Sequence, residues 1–255
     1  MRKRDNVLLI LVGGAAVALV VVVGIVAFAA GHSTRSTTTV TVASGTTAGP
    51  VEQIDPSVAA GAHDFVQFAC AQCHGEQGKG GVSPDVPALV DIGKQETVTQ
   101  LRQIIDHGLG ESANPTKPYM PVWGEVISRK QVSDLVAYLR AGLPEVPNAV
   151  PQAVPQGQGE AVAGGALYVR YGCINCHGPN GLGGVPNPQS PDKAIPSLSG
   201  ADFRSEFDTP EKITEIIRTG SVLGRAPIVS MPHWGGILTD ADYNALVAYI
   251  DTLKP

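Results

Sequence analysis

The 255-residue sequence is poor in several residue types, and each shortage narrows the possible functions. Charged residues make up only 16% of the chain and the formal net charge is -5, so the sequence has no basic excess with which to bind nucleic acid. Aromatic residues are also few, at 5%. Cysteine and methionine are scarcer still, with four and three residues, so every one of them can be considered individually. Glycine and proline are plentiful by contrast, at 30 and 20 residues, which favours short helices joined by long loops.

The N-terminal region lacks charge over one long stretch. Residues 7–31 contain no charged side chain, and about 25 helical residues extend roughly 37 Å, enough to cross a ~30 Å hydrocarbon core. Three basic residues at positions 2–4 predict a cytoplasmic N-terminus and an exported remainder. A cleaved signal peptide ending near the Ala-Phe-Ala at 27–29 is the alternative, although the apolar stretch exceeds the usual length of about 7 to 15 residues. We therefore predict that residues 1–31 are a short cytoplasmic tip and a retained transmembrane anchor.

Two further segments have the composition of linkers. Residues 32–55 are rich in Ser, Thr, Gly, Ala and Val, and we interpret them as a flexible tether. Residues 144–159 contain four prolines, which predicts a stiffer extended spacer. The chain is thereby divided into two folded domains, residues 56–143 and residues 160–255.

An internal repeat supports this division. The same landmarks follow one another in both halves, and the methionine and the later tyrosine are eighteen residues apart in each. The paired landmarks are Gly61 and Phe65 with Gly164 and Tyr168, Cys70-Ala-Gln-Cys73-His74-Gly75 with Cys173-Ile-Asn-Cys176-His177-Gly178, Pro87 with Pro196, Met120-Pro-Val-Trp123 with Met231-Pro-His-Trp234, and Leu135-Val-Ala-Tyr138 with Leu246-Val-Ala-Tyr249. The chain is a duplicated module.

The Cys-x-x-Cys-His motif carries the chemistry. Cys70 and Cys73, like Cys173 and Cys176 in the second copy, have the spacing that allows two thioether bonds to one haem, and the following His74 or His177 can then ligate the iron. One four-cysteine zinc site, a thioredoxin-like redox pair and two disulfides in an exported chain are the alternatives. None of them accounts for a histidine after both motifs, so the sequence predicts two covalently bound haem c groups.

Methionine scarcity points to the second axial ligand of each iron. Beyond Met1 the chain has only Met120 and Met231, at equivalent positions of the two copies. The alternative is that each fills a gap in the core. One methionine per copy, each followed by proline, favours a thioether ligand opposite the histidine. His107 and His233 have no histidine counterpart in the other copy, and we expect both at the surface.

Together these motifs resemble the class I cytochrome c family, and the resemblance covers both modules. It implies a mostly α-helical fold, with two tandem cytochrome c domains after the transmembrane helix, in which a Gly-x-x-x-aromatic helix crosses the C-terminal helix of each domain. It also implies that the carbonyl groups of Pro87 and Pro196 accept the Nδ1 hydrogen of the haem-ligating histidines. Trp123 and Trp234 are similar to haem-pocket aromatics of the family, either donating to a propionate or simply packing.

An iron with histidine on one face and methionine on the other has no vacant position for a small-molecule substrate. The sequence therefore predicts an electron-transfer protein, not an enzyme, with redox proteins as partners and its haem domains on the outer face of the cytoplasmic membrane. The primary hypothesis is transfer in a respiratory chain between a quinol-oxidising complex and a terminal oxidase, or a cytochrome c subunit of such a complex. The alternatives are the electron-accepting subunit of an exported dehydrogenase and, with less support, a dihaem peroxidase.

Overall fold

The computed structural model describes residues 53–110, 117–187, 190–221 and 230–254. The chain from Glu52 to Pro255 forms one compact unit. The predicted anchor and almost all of the predicted tether lie outside the described residues. Among the residues that are described, no helix is long and apolar enough to cross a membrane.

Three helices of the first module begin at a side chain that caps them. Asp55 accepts hydrogen bonds from the backbone N–H groups of Ser57 and Val58, and Thr97 and Ser128 each form a capping box with the glutamine three residues later. The helices are α1 (Pro56–Gln67), α2 (Cys70–His74), α3 (Ile92–Gln95), α4 (Val98–His107) and α5 (Arg129–Arg140), with a short 3-10 turn at Glu76–Gly78.

The second module repeats this order element by element. Its elements are α6 (Glu160–Arg170), α7 (Cys173–His177), a 3-10 turn at Pro179–Gly181, α8 (Ala201–Glu206), α9 (Pro210–Thr219) and α10 (Asp240–Thr252). Helix α8 takes the place of α3, since it begins three residues after Leu198 as α3 begins three residues after Leu89. Most of the extra length of the second copy lies before it, because His177 and Pro196 are 19 residues apart whereas His74 and Pro87 are 13 apart. The described residues contain no extended strand, only isolated bridges, so the expected mostly α-helical fold is confirmed.

Each module is organised around the crossing of its first and last long helices. Helix α1 crosses α5 at Gly61, and α6 crosses α10 at Gly164. A Cβ atom added to either glycine would lie 2.8 Å from the Cβ of Tyr138 or Tyr249, and closer still to a backbone carbonyl of the facing helix. The aromatic residue four positions after each glycine packs on the same tyrosine, with ring centroids 5.7 Å apart in the first module and 5.2 Å in the second. Glycine is required at the crossing because the two backbones touch there.

The proline-rich segment 144–159 is less independent than its composition predicts. It contains no helix, in agreement with an extended spacer. However, Val146 is buried in the core of the first module with Ala149 against it, and Val154 packs on the core of the second. The segment therefore lies along both modules, because its valines contribute apolar surface that each core buries.

The two modules meet through equivalent residues. The Asn175 side-chain amide donates to the carbonyl of Gln67 at 2.9 Å, and the Arg170 guanidinium donates to the Gln72 side chain at 3.4 Å. Within the repeat, Asn175 corresponds to Gln72 and Arg170 to Gln67. The two contacts are therefore the same pair of positions with the modules exchanged, which is the pattern that a twofold axis produces. The duplicated modules are thus packed about a local twofold axis.

Candidate functional site

The cysteine motifs occupy two short helices that are set off from the preceding long helices. Ala69 and Gly172, the residues before α2 and α7, have left-handed backbone conformations with φ of 60° and 70°. This conformation interrupts the helix; glycine adopts it without penalty, whereas at Ala69 it costs roughly 1–2 kcal/mol. Each motif is therefore a separate helical turn that presents two cysteines and a histidine together.

Hydrogen bonding defines the tautomer of each motif histidine. Nδ1 of His74 lies 2.8 Å from the carbonyl oxygen of Pro87, and Nδ1 of His177 lies 3.3 Å from that of Pro196. A carbonyl can only accept, so Nδ1 must carry the proton and Nε2 is left with a free lone pair. Burial lowers the pKa of both histidines, and the hydrogen bond to the carbonyl opposes this effect. A neutral imidazole with Nε2 free is the form that ligates a metal.

The four cysteines are free thiols in the structure. Burial raises the pKa of Cys70, Cys73 and Cys173 to about 12, and that of Cys176 to about 11. Zinc binding and thiol exchange both require the thiolate, which these environments disfavour. Within the described ranges, no group of three or more His, Cys, Asp or Glu side chains could hold a metal ion. The two cysteine pairs are therefore not brought together into one four-cysteine site.

Both methionines are positioned by the same pair of backbone hydrogen bonds. Met120 exchanges two backbone hydrogen bonds with Leu109, at 2.8 and 3.0 Å, and Met231 exchanges two with Ser221, both at 3.0 Å. Leu109 and Ser221 follow directly on the glycines that end α4 and α9. The methionine segment of each module is therefore attached to the C-terminal end of a helix packed in the core.

A cavity of about 330 Å³ in the first module brings its predicted site residues together. Apolar side chains, including Leu89, Ile105 and Leu139, form much of the wall. The predicted site residues that line it are Cys70, Cys73, His74, Pro87, Met120 and Trp123. Two thiols, a neutral imidazole and a thioether around an apolar cavity are a donor set that fits a covalently attached iron porphyrin.

In the second module the predicted residues pack around the corresponding core. Cys173 and Met231 contact the core cluster to which Trp234 belongs, and His177 is bonded to Pro196 as described above. The contacts seen for the two indoles are packing contacts: Trp123 against Phe68 at 6.0 Å and Trp234 against Tyr171 at 5.4 Å between ring centroids. A role of either tryptophan toward a propionate remains a prediction.

His107 and His233 were both expected at the surface, and the structure confirms this for one of them only. His107 is exposed, as predicted, but His233 is buried, with 9% of its surface exposed. Together with Pro232 and Trp234 it lines the cavity of the first module, because the local twofold packing brings the second methionine segment against the other module. One signal in the sequence pointed to burial: the equivalent residue is the apolar Val122, which is 1% exposed.

Tyr119 is a second residue that the sequence did not single out. Its hydroxyl donates a hydrogen bond to the backbone carbonyl of Met231 in the other module. The equivalent position in the second copy is Ser230, whose side chain is too short for the same reach. The pattern of the repeat contained no indication of this contact.

Two helical modules, each with a pair of cysteines, a neutral histidine and a methionine around its core, define the protein as a dihaem c-type cytochrome. Comparison with known proteins agrees with this class. The model of the family described as Cytochrome C oxidase, cbb3-type, subunit III matches residues 56–139 and 159–250. The chain therefore belongs to this cytochrome c family, whose members are electron-transfer proteins with covalently bound haem c.

Curated relatives extend the comparison. Cytochrome c4 of Azotobacter vinelandii is 27% identical over 187 residues, covering 72% of this chain and 84% of that protein. Subunit FixP of the cbb3-type cytochrome c oxidase of Azorhizobium caulinodans is 30% identical over 201 residues, and subunit CcoP of that of Cereibacter sphaeroides is 27% identical over 191. The matches cover 74% and 72% of this chain but only 58% and 57% of the two oxidase subunits. The chain thus spans a little over half the length of those relatives.

Proposed function

We propose that this protein is a membrane-anchored dihaem cytochrome that carries electrons in a respiratory chain and does not itself transform a small molecule. The observation that carries the proposal is the position of His74 and Met120 on the walls of one cavity, repeated in sequence by His177 and Met231. Two such ligands would leave no coordination site open on either iron.

Each residue has a defined task in this proposal. Haem c supplies a one-electron couple, Fe(III) and Fe(II). The paired cysteines hold the group covalently, and Pro87 and Pro196 orient the histidines through their Nδ1 hydrogens. Met120 and Met231 provide the thioether that favours ferrous iron. The apolar walls exclude water, which limits the reorganisation that accompanies electron transfer.

The pathway is inferred from the relatives. Two of them are named as subunits of cbb3-type oxidases and one as cytochrome c4. We therefore place this chain between a quinol-oxidising complex and a terminal oxidase, or within such a complex as its cytochrome c subunit. The alternative is that the chain is the electron-accepting subunit of an exported dehydrogenase. Purification from native membranes distinguishes the two, because the proteins that co-purify would be respiratory subunits in one case and a dehydrogenase in the other.

The proposed location follows from the sequence. Residues 1–31 would anchor the protein in the cytoplasmic membrane, residues 32–55 would act as a tether, and the domains 56–143 and 160–255 would lie on the outer face. In this arrangement the protein would remain at the membrane surface while its haem domains reach redox partners.

Electron counting and carbon monoxide binding test the carrier function. The purified holoprotein should accept two electrons and show the weak far-red absorption of sulfur-ligated ferric haem. The reduced protein should bind no carbon monoxide and turn over no peroxide, because both irons are six-coordinate. If one equivalent of carbon monoxide binds to the unmodified protein, one iron is open and the peroxidase alternative becomes the better explanation.

The intact mass tests cofactor attachment and the N-terminus in one measurement. We expect a denatured protein that exceeds the full-length polypeptide by two haems, because the thioether bonds survive unfolding. A mass equal to that of the bare chain would contradict covalent attachment. A mass that corresponds to an N-terminus at Ala30 plus two haems would preserve the cytochrome assignment and replace the anchor by a cleaved signal peptide.

A further inference from the structure

Each methionine segment reaches into the other module. In the first module this segment is residues 119–123, and in the second it is residues 230–234. Tyr119 donates its hydroxyl hydrogen to the carbonyl of Met231, and Pro232, His233 and Trp234 line the cavity of the first module. The site of the first module is therefore completed by residues more than a hundred positions away in the chain.

His233 and Ser230 are the two residues of the second methionine segment that each have a buried polar atom without a hydrogen-bond partner in the described part of the chain, and of these His233 lines the cavity. It is 9% exposed, and its Nδ1 atom has no hydrogen-bond partner within the described part of the chain. Its Nδ1 atom is fully buried. An unsatisfied buried polar group costs about 1–3 kcal/mol, and such a group calls for a partner outside the protein atoms.

Comparison of the two modules shows that the fold does not require a polar side chain at the position of His233. Val122 occupies the equivalent position in the first module and is 1% exposed, so an apolar side chain can fill this place in the fold. The second module nevertheless carries an imidazole in the wall of a largely apolar cavity. Rotation of the ring about its Cβ–Cγ bond exchanges each nitrogen with a carbon, so one of its two orientations turns a nitrogen toward the cavity.

The cofactor of the first module offers few groups that could accept this hydrogen. A haem c is apolar apart from its iron and two propionate carboxylates, and hydrogen bonds to ionised carboxylates are among the stronger ones in proteins. We propose that His233 donates a ring N–H to a propionate of the haem in the first module, so that the second module helps to hold the haem of the first. This inference depends on the proposed function, in that it requires haem c in the first cavity.

The proposed hydrogen bond should raise the reduction potential of the haem in the first module. A donor draws negative charge from the propionate, which weakens the stabilisation of ferric iron by that charge and makes the haem easier to reduce. The interaction is also one-sided, because Val122 has no hydrogen to donate to the second haem. Its loss should therefore change one potential and not the other.

Potentiometry of the holoprotein with His233→Val tests the proposal. At a fixed ambient potential, the ratio of reduced to oxidised haem in the first module should fall about fivefold, or about 40 mV, since tenfold corresponds to 59 mV for one electron. The haem in the second module should change by less than twofold. The steps are assigned to modules with the Met120→Ala and Met231→Ala proteins.

Two matched variants separate hydrogen bonding from disturbance of the methionine segment. His233→Gln retains a donor and should restore most of the shift. Ser230→Ala removes another unpartnered buried hydroxyl beside Met231 and should leave the first haem unchanged. An unshifted first haem in His233→Val, an equal shift of both haems, or no recovery with glutamine would overturn the proposal.

A measurement on the unmodified protein covers the case in which His233→Val does not fold. In holoprotein with 15N-labelled histidine, the ring N–H of His233 should be protected from exchange with solvent, and rapid exchange would indicate water as the partner and refute the bond to a propionate. Failure of the proposed function has a different signature, since the unmodified protein would then lack two one-electron steps.

Discussion

Replacement of Met120 by alanine is expected to open one iron of the two. The reduced variant should bind one carbon monoxide per protein, because the thioether at that cavity wall is gone and alanine cannot reach the metal. The potential of the same haem should fall by on the order of 100 mV, since the soft sulfur ligand favours ferrous iron. Met231→Ala should produce the same change in the second module. Carbon monoxide binding and potentiometry measure both effects.

Met120→His is the matched control for this experiment. Histidine restores a strong sixth ligand, so this variant should lower the potential without binding carbon monoxide. A Met120→Ala protein that remains closed to carbon monoxide would show that Met120 is not the ligand. The hydrogen bond of Tyr119 to the carbonyl of Met231 links the two methionine segments. The untouched haem should remain six-coordinate, but its potential can respond slightly to a change next to Tyr119.

Substitution of Gly164 by alanine is expected to cost about 3 kcal/mol of unfolding free energy, at the upper end of overpacking effects. The added Cβ would overlap the backbone carbonyl of Ala245 and lie 2.8 Å from the Cβ of Tyr249, neither of which can move without separating α6 from α10. Denaturant unfolding of the holoprotein, followed by circular dichroism, measures the loss. The unfolding transition should shift to lower denaturant with little change in slope.

Gly165→Ala provides a control in the same helix. Its Cβ would lie 3.3 Å from the ring of Tyr249, a contact that a shift of the ring by a few tenths of an ångström relieves. Both variants gain the same ~1 kcal/mol of helix propensity over glycine, so their difference isolates the helix crossing. Gly165→Ala should therefore be close to neutral. Equal destabilisation by the two substitutions would argue against backbone contact at Gly164.

Much of the cofactor chemistry was predictable because it depends on local spacing. The Cys-x-x-Cys-His motif needs only one helical turn, and its duplication identified two sites before any fold was known. The glycine-aromatic pairs that mark the helix crossings are equally local in the sequence. The structure adds the hydrogen bonds of His74 and His177, which the family resemblance had implied.

The expectation that the structure overturned concerns a residue whose environment is made by another part of the chain. His233 was expected at the surface because no histidine stands at the equivalent position, yet it lies in the wall of the other module's cavity. The segment 144–159 was expected to be an extended spacer, and the structure adds that Val146 and Val154 pack on the two cores. The apolar Val122 at the equivalent position indicated burial of His233, but comparison of the two copies cannot show that the surface which buries it belongs to the other module.

The sequence by itself determined the class of protein, the number of haems and the residues expected to bind them. The class and the haem-binding residues follow from a motif only five residues long, and the number of haems follows from its presence in both copies of the module. Only the tertiary structure decided that residues of the second module complete the cavity of the first. The hydrogen bond from Tyr119 to Met231 joins residues 112 positions apart, and it depends on how two folded surfaces fit together. That fit is made by shape and burial over a whole interface, so it leaves no periodic pattern in the chain.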